Sequence, residues 1–485
     1  MLLFLVSKSG SGPDGAQPLR LYCAAGVKPP VFALAKRFAA EYGVEVQLQY
    51  GGSGTLLSNI EISRQGDLYI AADQSYIDIA GAKGLIAETL PLGWQRPVVA
   101  VPKGNPKGIR TLDDLSRQDL RLALGNPEAA SIGRQTKALL EQAGVWAAVK
   151  RQVQQNGVFK PTVPEVANDV KIGAVDAGIV WDATLALYPE LEAVHLPLFD
   201  VARRQISIAV LASSEQPTAA LTFARYLNSQ IGNQVFSECG YESVTGDKWA
   251  LHPEVTFFCG AVNRRAVDEV IKAFEQREGV TVNTLYNGCG ILTEQMRTII
   301  DQEKSGAGFP DVYMACDRYD LENVRDWFQE DVDVSEADIV IIVPKGNPKN
   351  IKSLADLTKP DIRISVGQPQ QCTIGALTRI MLKELGVFDR VMTNVVMQTA
   401  SSAMLVPTVT KRSVDATIAY VTDTLAESDT VDFIRIDSPL AKAVQPFSIA
   451  RSSRHKYLGR RLFAAVAGAG DRFEAAGFRF RLDQK

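Results

Sequence analysis

One hexapeptide occurs twice. Val101-Pro102-Lys103-Gly104-Asn105-Pro106 returns letter for letter as Val343-Pro344-Lys345-Gly346-Asn347-Pro348, 242 positions later in a chain of 485 residues. Each copy is followed by an Ile and then by an Asp-Leu pair, Asp114-Leu115 and Asp356-Leu357. Two more landmarks keep the same order. Tyr50-Gly51-Gly52-Ser53-Gly54 corresponds to Tyr286-Asn287-Gly288-Cys289-Gly290, and Val175-Asp176-Ala177 to Val414-Asp415-Ala416. Self-similarity at a long fixed period marks a duplicated unit. A chain of this length also exceeds what one core organises, since domains settle at roughly 50–250 residues. Two fused modules follow.

Within each half, apolar strands alternate with helical stretches. Leu19 to Ala25 reads as a buried strand, and Pro29 and Pro30 then suit the first turn of a helix whose apolar face is Val31, Leu34, Ala35, Phe38 and Ala39. Val44 to Tyr50 alternates as a second strand, and Asp67 to Asp73 contains a third. Such alternation implies parallel sheets with the strand ends and helix starts gathered at one edge. The strand Pro97 to Pro102 leaves this lobe, a second lobe follows, and Ile206 to Leu211 returns; a helix from Ala219 to Phe236 completes the half. The second half repeats the plan from Val255, with Ile339 to Pro344 and Phe447 to Ala450 as its crossing segments. The expected class is therefore α/β, in two tandem modules, each of two α/β lobes joined by a two-strand hinge with a cleft between them. The expected boundaries are a leader at 1–17, a first module at 18–251 and a second at 254–485. In the first module, lobe A is about 18–96 and 205–251, and lobe B about 97–204. In the second, lobe A is about 254–338 and 445–485, and lobe B about 339–444.

The formal charge of −3 gives no global basic field, so no nucleic acid is expected as a partner. No run of about 20 apolar residues is present to cross a bilayer as a helix. The apolar Met1 to Val6 reads either as a flexible tail or as the remnant of an export signal or membrane anchor. Six cysteines are too few for a disulfide framework in a chain of this size. The three histidines, His195, His252 and His455, fall outside every motif and show no metal-ligand spacing, so catalysis is the weaker reading and no cofactor is expected.

Gly51-Gly52-Ser53-Gly54 between a strand and a helix places free N–H groups and the positive end of a helix at a sheet edge, an arrangement suited to an anion. Taken alone, it reads equally as a left-handed glycine turn that binds nothing. A second helix start, at Ser131-Ile132-Gly133, is expected to face it across the cleft. Together with Cys23-Ala24-Ala25, Leu68 to Asp73, the hexapeptide, Gly125-Asn126-Pro127 and Asp176 to Trp181, this set resembles the molybdate-binding proteins of ABC transporters, within the type II periplasmic binding fold. The resemblance implies a tetrahedral oxyanion (molybdate, tungstate or a relative) held without counter-charge by hydroxyl and backbone N–H groups, and delivery to an ABC-importer membrane permease. It implies a periplasmic or extracytoplasmic location, with the N-terminal remnant as an anchor. Carried over by position, Ser53, Ser131, Ile132, Val163 and Trp181 line the first cleft. The family's serine after the first strand is replaced by Gly26 and Val27, with Lys28 next, and its tyrosine by Trp181, which keeps one N–H donor but no hydroxyl.

In the second cleft the corresponding positions are Val262, Asn263, Cys289, Thr373, Ser402 and Tyr420. Cys289 stands where Ser53 stands, Cys316 precedes Asp317, and Cys372 adjoins Thr373. These three cysteines read as small buried residues, as a disulfide, or as a soft-metal or reactive-thiol site. The leading expectation is a solute-binding protein of two modules working by hinge closure. The alternatives are a ligand sensor or scavenger with one live cleft, and a thiol enzyme or soft-metal binder using Cys289, Cys316 and Cys372.

Overall fold

A computed structural model describes residues 17–301 and 308–482, so the expected leader lies outside the described residues but for its last position. The chain separates into two compact units, Met1–Leu251 and His252–Lys485. In the first, the elements run β1 Leu19–Ala24, α1 Lys28–Tyr42, β2 Val46–Gly51, α2 Ser53–Ser63, β3 Leu68–Ala71, α3 Gln74–Ala82, β4 Ile86–Gln95 and β5 Pro97–Pro102. There follow β6 Leu122–Gly125, α4 Ser131–Gln142, α5 Trp146–Asn156, β7 Val158–Lys160, α6 Val163–Lys171, β8 Ala177–Trp181 and β9 Leu191–Val194. The unit closes with α7 Pro197–Asp200, β10 Arg204–Leu211, α8 Pro217–Asn228, α9 Gln230–Glu238 and β11 Glu242–Ser243.

These strands form two sheets. One has the order β11-β4-β10-β3-β1-β2 and the other β7-β6-β8-β5-β9. In the first sheet β1 is parallel to β2 and β3, whereas the returning β10 is antiparallel to β3 and β4. β3 lies in the middle and is buried at all four positions, the pattern of a strand covered on both faces. Two apolar clusters cover it, one built on Val31, Leu34, Phe38 and Phe223 and the other on Leu56, Leu57 and Ile77. The helix expected from Ala219 to Phe236 is two helices. Ser229 adopts an extended ψ of 171° between α8 and α9, its hydroxyl donates to the Tyr226 carbonyl, and it caps α9 by accepting from Gly232 N.

The second unit runs β12 Glu254–Gly260, α10 Arg264–Glu278, β13 Thr281–Asn287, α11 Cys289–Asp301, β14 Val312–Met314, α12 Arg318–Glu322 and β15 Phe328–Pro344. Its other lobe holds β16 Ile364–Gly367, α13 Thr373–Glu384, α14 Phe388–Met392, β17 Val395–Thr399, α15 Leu405–Thr410, β18 Ala416–Tyr420 and β19 Val431–Arg435. The chain returns through β20 Lys442–Ala450, α16 Lys456–Ala467, α17 Gly470–Ala475 and β21 Arg479–Phe480. The crossing strand expected at Ile339 to Pro344 is the last third of β15, 17 residues long. β15 pairs with β20 in one lobe and with β18 and β19 in the other, so one ladder path, β13-β12-β14-β20-β15-β18-β16-β17, runs through both lobes.

The repeated hexapeptide is a turn at the exit of β5 and of β15. Gly104 and Asn105 have φ of 82° and 46°, and Gly346 and Asn347 have 82° and 47°, the left-handed region that Gly and Asn tolerate best. The Asn105 side chain donates to Ile109 O and accepts from Ile109 N at 2.8 and 3.0 Å, and Asn347 does the same with Ile351 at 2.7 and 3.0 Å. Asp114 and Asp356 each accept from the backbone N–H groups three and four residues before them. The best-preserved words of the duplication therefore fix loop geometry.

Candidate functional site

In the first unit the start of the 3-10 turn Ala25–Val27 that leads into α1 and the starts of α2, α4 and α6 converge on one small cavity of 20 Å³. None of these helix starts has a hydrogen bond from a capping side chain. Their first-turn N–H groups, which have no partner within the helix, are the donors such a site offers, reinforced by the positive helix ends. The lining consists of Ala24, Ala25, Gly26, Gly51, Gly52, Ser53, Ala72, Ala130, Ser131, Ile132, Thr162, Val163 and Trp181, without one formal charge. The space suits a guest of a few heavy atoms and is far below the several hundred Å³ of a pocket built for an organic ligand.

Ser53, 2% exposed, accepts from Ala72 N at 3.1 Å, which leaves its own proton to offer. Its carbonyl accepts from the Tyr69 hydroxyl at 2.8 Å, fixing the α2 start to the sheet. Ser131, on the opposite lobe, is buried, with its hydroxyl turned toward the Asp73 carboxyl across the seam.

Gly52 and Gly54 are glycines because the two lobes touch here. A Cβ on Gly52 would lie 2.3 Å from Ala129 O and 2.4 Å from Pro161 O, and one on Gly54 would lie 2.2 Å from Glu128 O. Gly54 N donates across the seam to Ala129 O at 2.9 Å. Gly51, Gly52 and Gly54 are absent from the glycines with positive φ, so the left-handed-turn reading of this motif does not apply.

Of the residues expected in the first cleft, Gly26, Ser53, Ser131, Ile132, Val163 and Trp181 are brought together around the cavity. Val27 is not. It is fully buried in the apolar cluster of lobe A, because the 3-10 turn at 25–27 points it inward. Lys28 is exposed, its ammonium 5.0 Å from the centre of the Tyr50 ring, so it adds no charge to the lining. Asp73 caps α3 by accepting from Ser75 N; burial pushes its carboxyl up, opposed by the Ser75 hydrogen bonds.

The second seam is filled differently. Thr373 Oγ1 on α13 donates to Asp320 Oδ2 on α12 at 2.8 Å, joining the two lobes. Val262 packs against the apolar clusters of both. Asn263 is buried and donates to Ala315 O at 3.0 Å, and Arg264 repeats the Lys28 contact by stacking over Tyr286 at 5.1 Å. Ser402 and Tyr420 are buried, and the Tyr420 hydroxyl has no partner. Cys289 and Cys316 meet, the thiol of the first donating to the sulfur of the second at 2.6 Å, and Cys316 N donates to Cys289 Sγ at 3.0 Å. Cys372 is the N-cap residue of α13 and packs into the lobe B cluster; it does not join that pair.

Burial pushes the Cys259 and Cys289 thiols well up and the Cys372 thiol up to about 12. A helix start acidifies a thiol only where water or charge can stabilise the thiolate, and here desolvation wins. This is the reverse of an activated nucleophile. Asp320, absent from the sequence-based candidates, is the missed residue. Its carboxyl is pushed up to about 8 by burial, opposed by the Thr373 hydrogen bond. The five-residue α12 is too short to show a face in the sequence, and only the duplication, which sets Asp320 against Tyr76, could have flagged it.

The family of bacterial extracellular solute-binding proteins matches residues 19–242 and again 255–479. Molybdate-binding protein ModA of Mycobacterium tuberculosis is 25% identical over 240 residues, 48% of this chain and 88% of its own length. A Bacillus subtilis protein whose name proposes an ABC transporter substrate-binding lipoprotein, YvgL, is 23% identical over 239 residues, 48% of this chain and 90% of its own. Among solved structures, the periplasmic molybdate-binding protein of Azotobacter vinelandii aligns with 47% of this chain and all of its own, at 17% identity and a TM-score of 0.41. Among the described residues no helix is long and apolar enough to cross a membrane.

Proposed function

The chain belongs to the bacterial extracellular solute-binding proteins, one copy in each half, and from that premise we propose that its first module is the receptor for a small tetrahedral oxyanion of the molybdate, tungstate or sulfate class. The observation that carries the reading is the convergence of the four uncapped helix starts on a small cavity whose lining has no charge. An oxyanion there exchanges its water shell for fixed N–H donors and the Ser53 and Ser131 hydroxyls, and these need no reorganisation on binding. The lobes close over it at Gly52 and Gly54, and the solute is sealed from solvent. Closure then presents one shape to a membrane permease of the ABC-importer type, which takes the solute when the lobes part. On this reading the chain works outside the cytoplasm. The names of the M. tuberculosis and B. subtilis relatives support the same reading.

The test is a thermal-shift and native mass spectrometry panel of molybdate, tungstate, sulfate and phosphate on the full chain. One oxyanion per chain is expected, and at a hundred times its Kd it should stabilise the folded state by about 2.7 kcal/mol. Ser131→Ala should weaken it by about tenfold. No stabilisation by any of the four anions would sink the reading.

A further inference from the structure

Four positions differ between the two modules in a concerted way. Where the first has Ala24, Ser53, Ala72 and Tyr76, the second has Gly260, Cys289, Cys316 and Asp320. These residues are far apart in sequence yet meet at one point in lobe A of the second module. Cys289 Sγ, Cys316 Sγ and an Asp320 carboxylate oxygen all lie within 4.8 Å of one another, and all three residues are buried. A Cβ on Gly260 would lie 2.5 Å from Cys316 Sγ and 2.7 Å from Cys289 Sγ, so the loss of the Ala24 methyl is what makes room for the two sulfurs.

One polar group at this point lacks what burial demands. Asp320 is 2% exposed, and its side-chain partner is the neutral Thr373 hydroxyl; among the described residues no ion pair reaches it. A carboxyl so buried stays protonated unless a cation or a metal sits beside it. Tyr313, wholly buried, turns its hydroxyl to the Cys289 thiol, whereas its counterpart Tyr69 donates to Ser53 O. Asp320 and Thr373 also form part of the wall of a cavity of 280 Å³ shared with Thr293, Arg297 and Arg379.

We propose that the second module binds one thiophilic divalent cation, of the zinc or cadmium class, through Cys289 Sγ, Cys316 Sγ and an Asp320 carboxylate oxygen. Two soft sulfurs and one oxygen are a donor set that tetrahedral d10 cations accept, with a fourth position left open. Binding replaces each thiol proton by a metal–sulfur bond and displaces the proton that burial holds on the Asp320 carboxyl, so up to three protons leave to solvent for each cation bound, and the charge of the cation supplies what the buried carboxylate lacks. The two sulfurs must move apart to admit the ion. The proposal is independent of the oxyanion reading of the first module, and either can fail alone.

The experiment uses the full chain, reduced and stripped of metal with a chelator, and cadmium chloride as the probe. Cadmium bound per chain is counted by equilibrium dialysis with elemental analysis, and thiolate coordination is read from the ultraviolet charge-transfer band. One cadmium per chain is expected, with a band intensity corresponding to two thiolates and with displacement by zinc. Cys289→Ser and Cys316→Ser should each lower affinity at least a hundredfold and halve or abolish the band. Asp320→Asn, which keeps the shape and both thiols, should retain the band and lose about tenfold in affinity. Cys239→Ser, outside the cluster, should change neither. Should a serine variant fail to fold, the thiolate count from the wild-type band decides. No uptake by the reduced chain, uptake unaltered in Cys289→Ser, a band reporting one thiolate or none, or a Cys289–Cys316 disulfide in the native chain with no uptake after its reduction would each overturn the proposal.

Discussion

The two seams of this chain descend from one plan and solve opposite problems. The first surrounds a small neutral space with main-chain donors and lets the lobes meet through glycines. The second fills the same place with thiols, a carboxylate and a tyrosine, and joins its lobes through Thr373 and Asp320. A fold of this kind supplies converging helix starts, but the side chains at four or five positions decide whether they surround an anion or something else.

Substituting the residue on which that contrast turns should have the largest effect. Gly52→Ala introduces a methyl where Ala129 O and Pro161 O leave no room, at a φ of −68° that alanine adopts freely. The lobes should still fold, but the closed form should be lost, with oxyanion affinity falling at least a hundredfold, about 2.7 kcal/mol by titration calorimetry. Undiminished affinity would mean that the first module binds without closing, and the comparison would lose its basis.

A smaller effect is expected from Asp423, which stands where the first module has Thr184. Burial pushes the Asp423 carboxyl up to about 7, opposed by the Ser402 hydrogen bond and the charge of Arg265. The folded chain therefore keeps a proton that the unfolded chain releases near pH 4. Stability from this group falls as pH rises from about 4 to about 7 and changes little beyond. Asp423→Asn should match the wild type at pH 4 and melt about 3–6 °C higher at pH 8. Equal melting curves at both pH values would show that the second seam carries no titrating charge here.

The smallest effect is expected at the ring that closes each seam. Trp181 and Tyr420 occupy equivalent places and both are about 1% exposed, but the Tyr420 hydroxyl has no partner. Tyr420→Phe removes an unsatisfied group and should change stability by less than about 1 kcal/mol, or raise it, in a denaturant titration. A loss of several kcal/mol would reveal a bonding partner for that hydroxyl and sharpen the account of what the second seam holds.

The four-lobed plan was legible because its strands are short apolar runs bounded by Gly and Pro, and because the duplication could be read at every landmark. β15 was legible only in part. Only Ile339 to Pro344 was expected as a strand, and the residues before it carry Glu330, Asp331, Asp333, Glu336 and Asp338. They are a strand because they pair with β20 from Phe328 to Asp338, and their charges are met from elsewhere, Arg318 reaching Asp331 and Asp333 at 3.0 and 2.6 Å and Arg479 reaching Glu336 and Asp338 at 2.8 and 2.6 Å. Those partners lie on either side in sequence and cannot be paired by local pattern. In the first cleft, position carried most of the lining, but Val27 turned inward because a 3-10 turn rotates the chain between β1 and α1 in a way that spacing does not encode. Asp320 was missed because one turn of helix has no readable face.

The crossing strands differ by a single rung. Pro97, which has no N–H to give, stands at the junction of β4 and β5, whereas its counterpart Ile339 donates to Ala441 O at 2.9 Å and leaves β15 unbroken. Rotation about the first junction is left to the few torsions around Arg96, whose N–H donates to Asp182 Oδ1 and whose carbonyl accepts from Asp182 N. Rotation about the second must be spread along a long ribbon as twist, which springs back. The first half is thus built as a latch and the second as a leaf spring, and exchanging Pro97 for isoleucine would stiffen the latch right beside Trp181, the cavity-lining residue opposite it in the ladder.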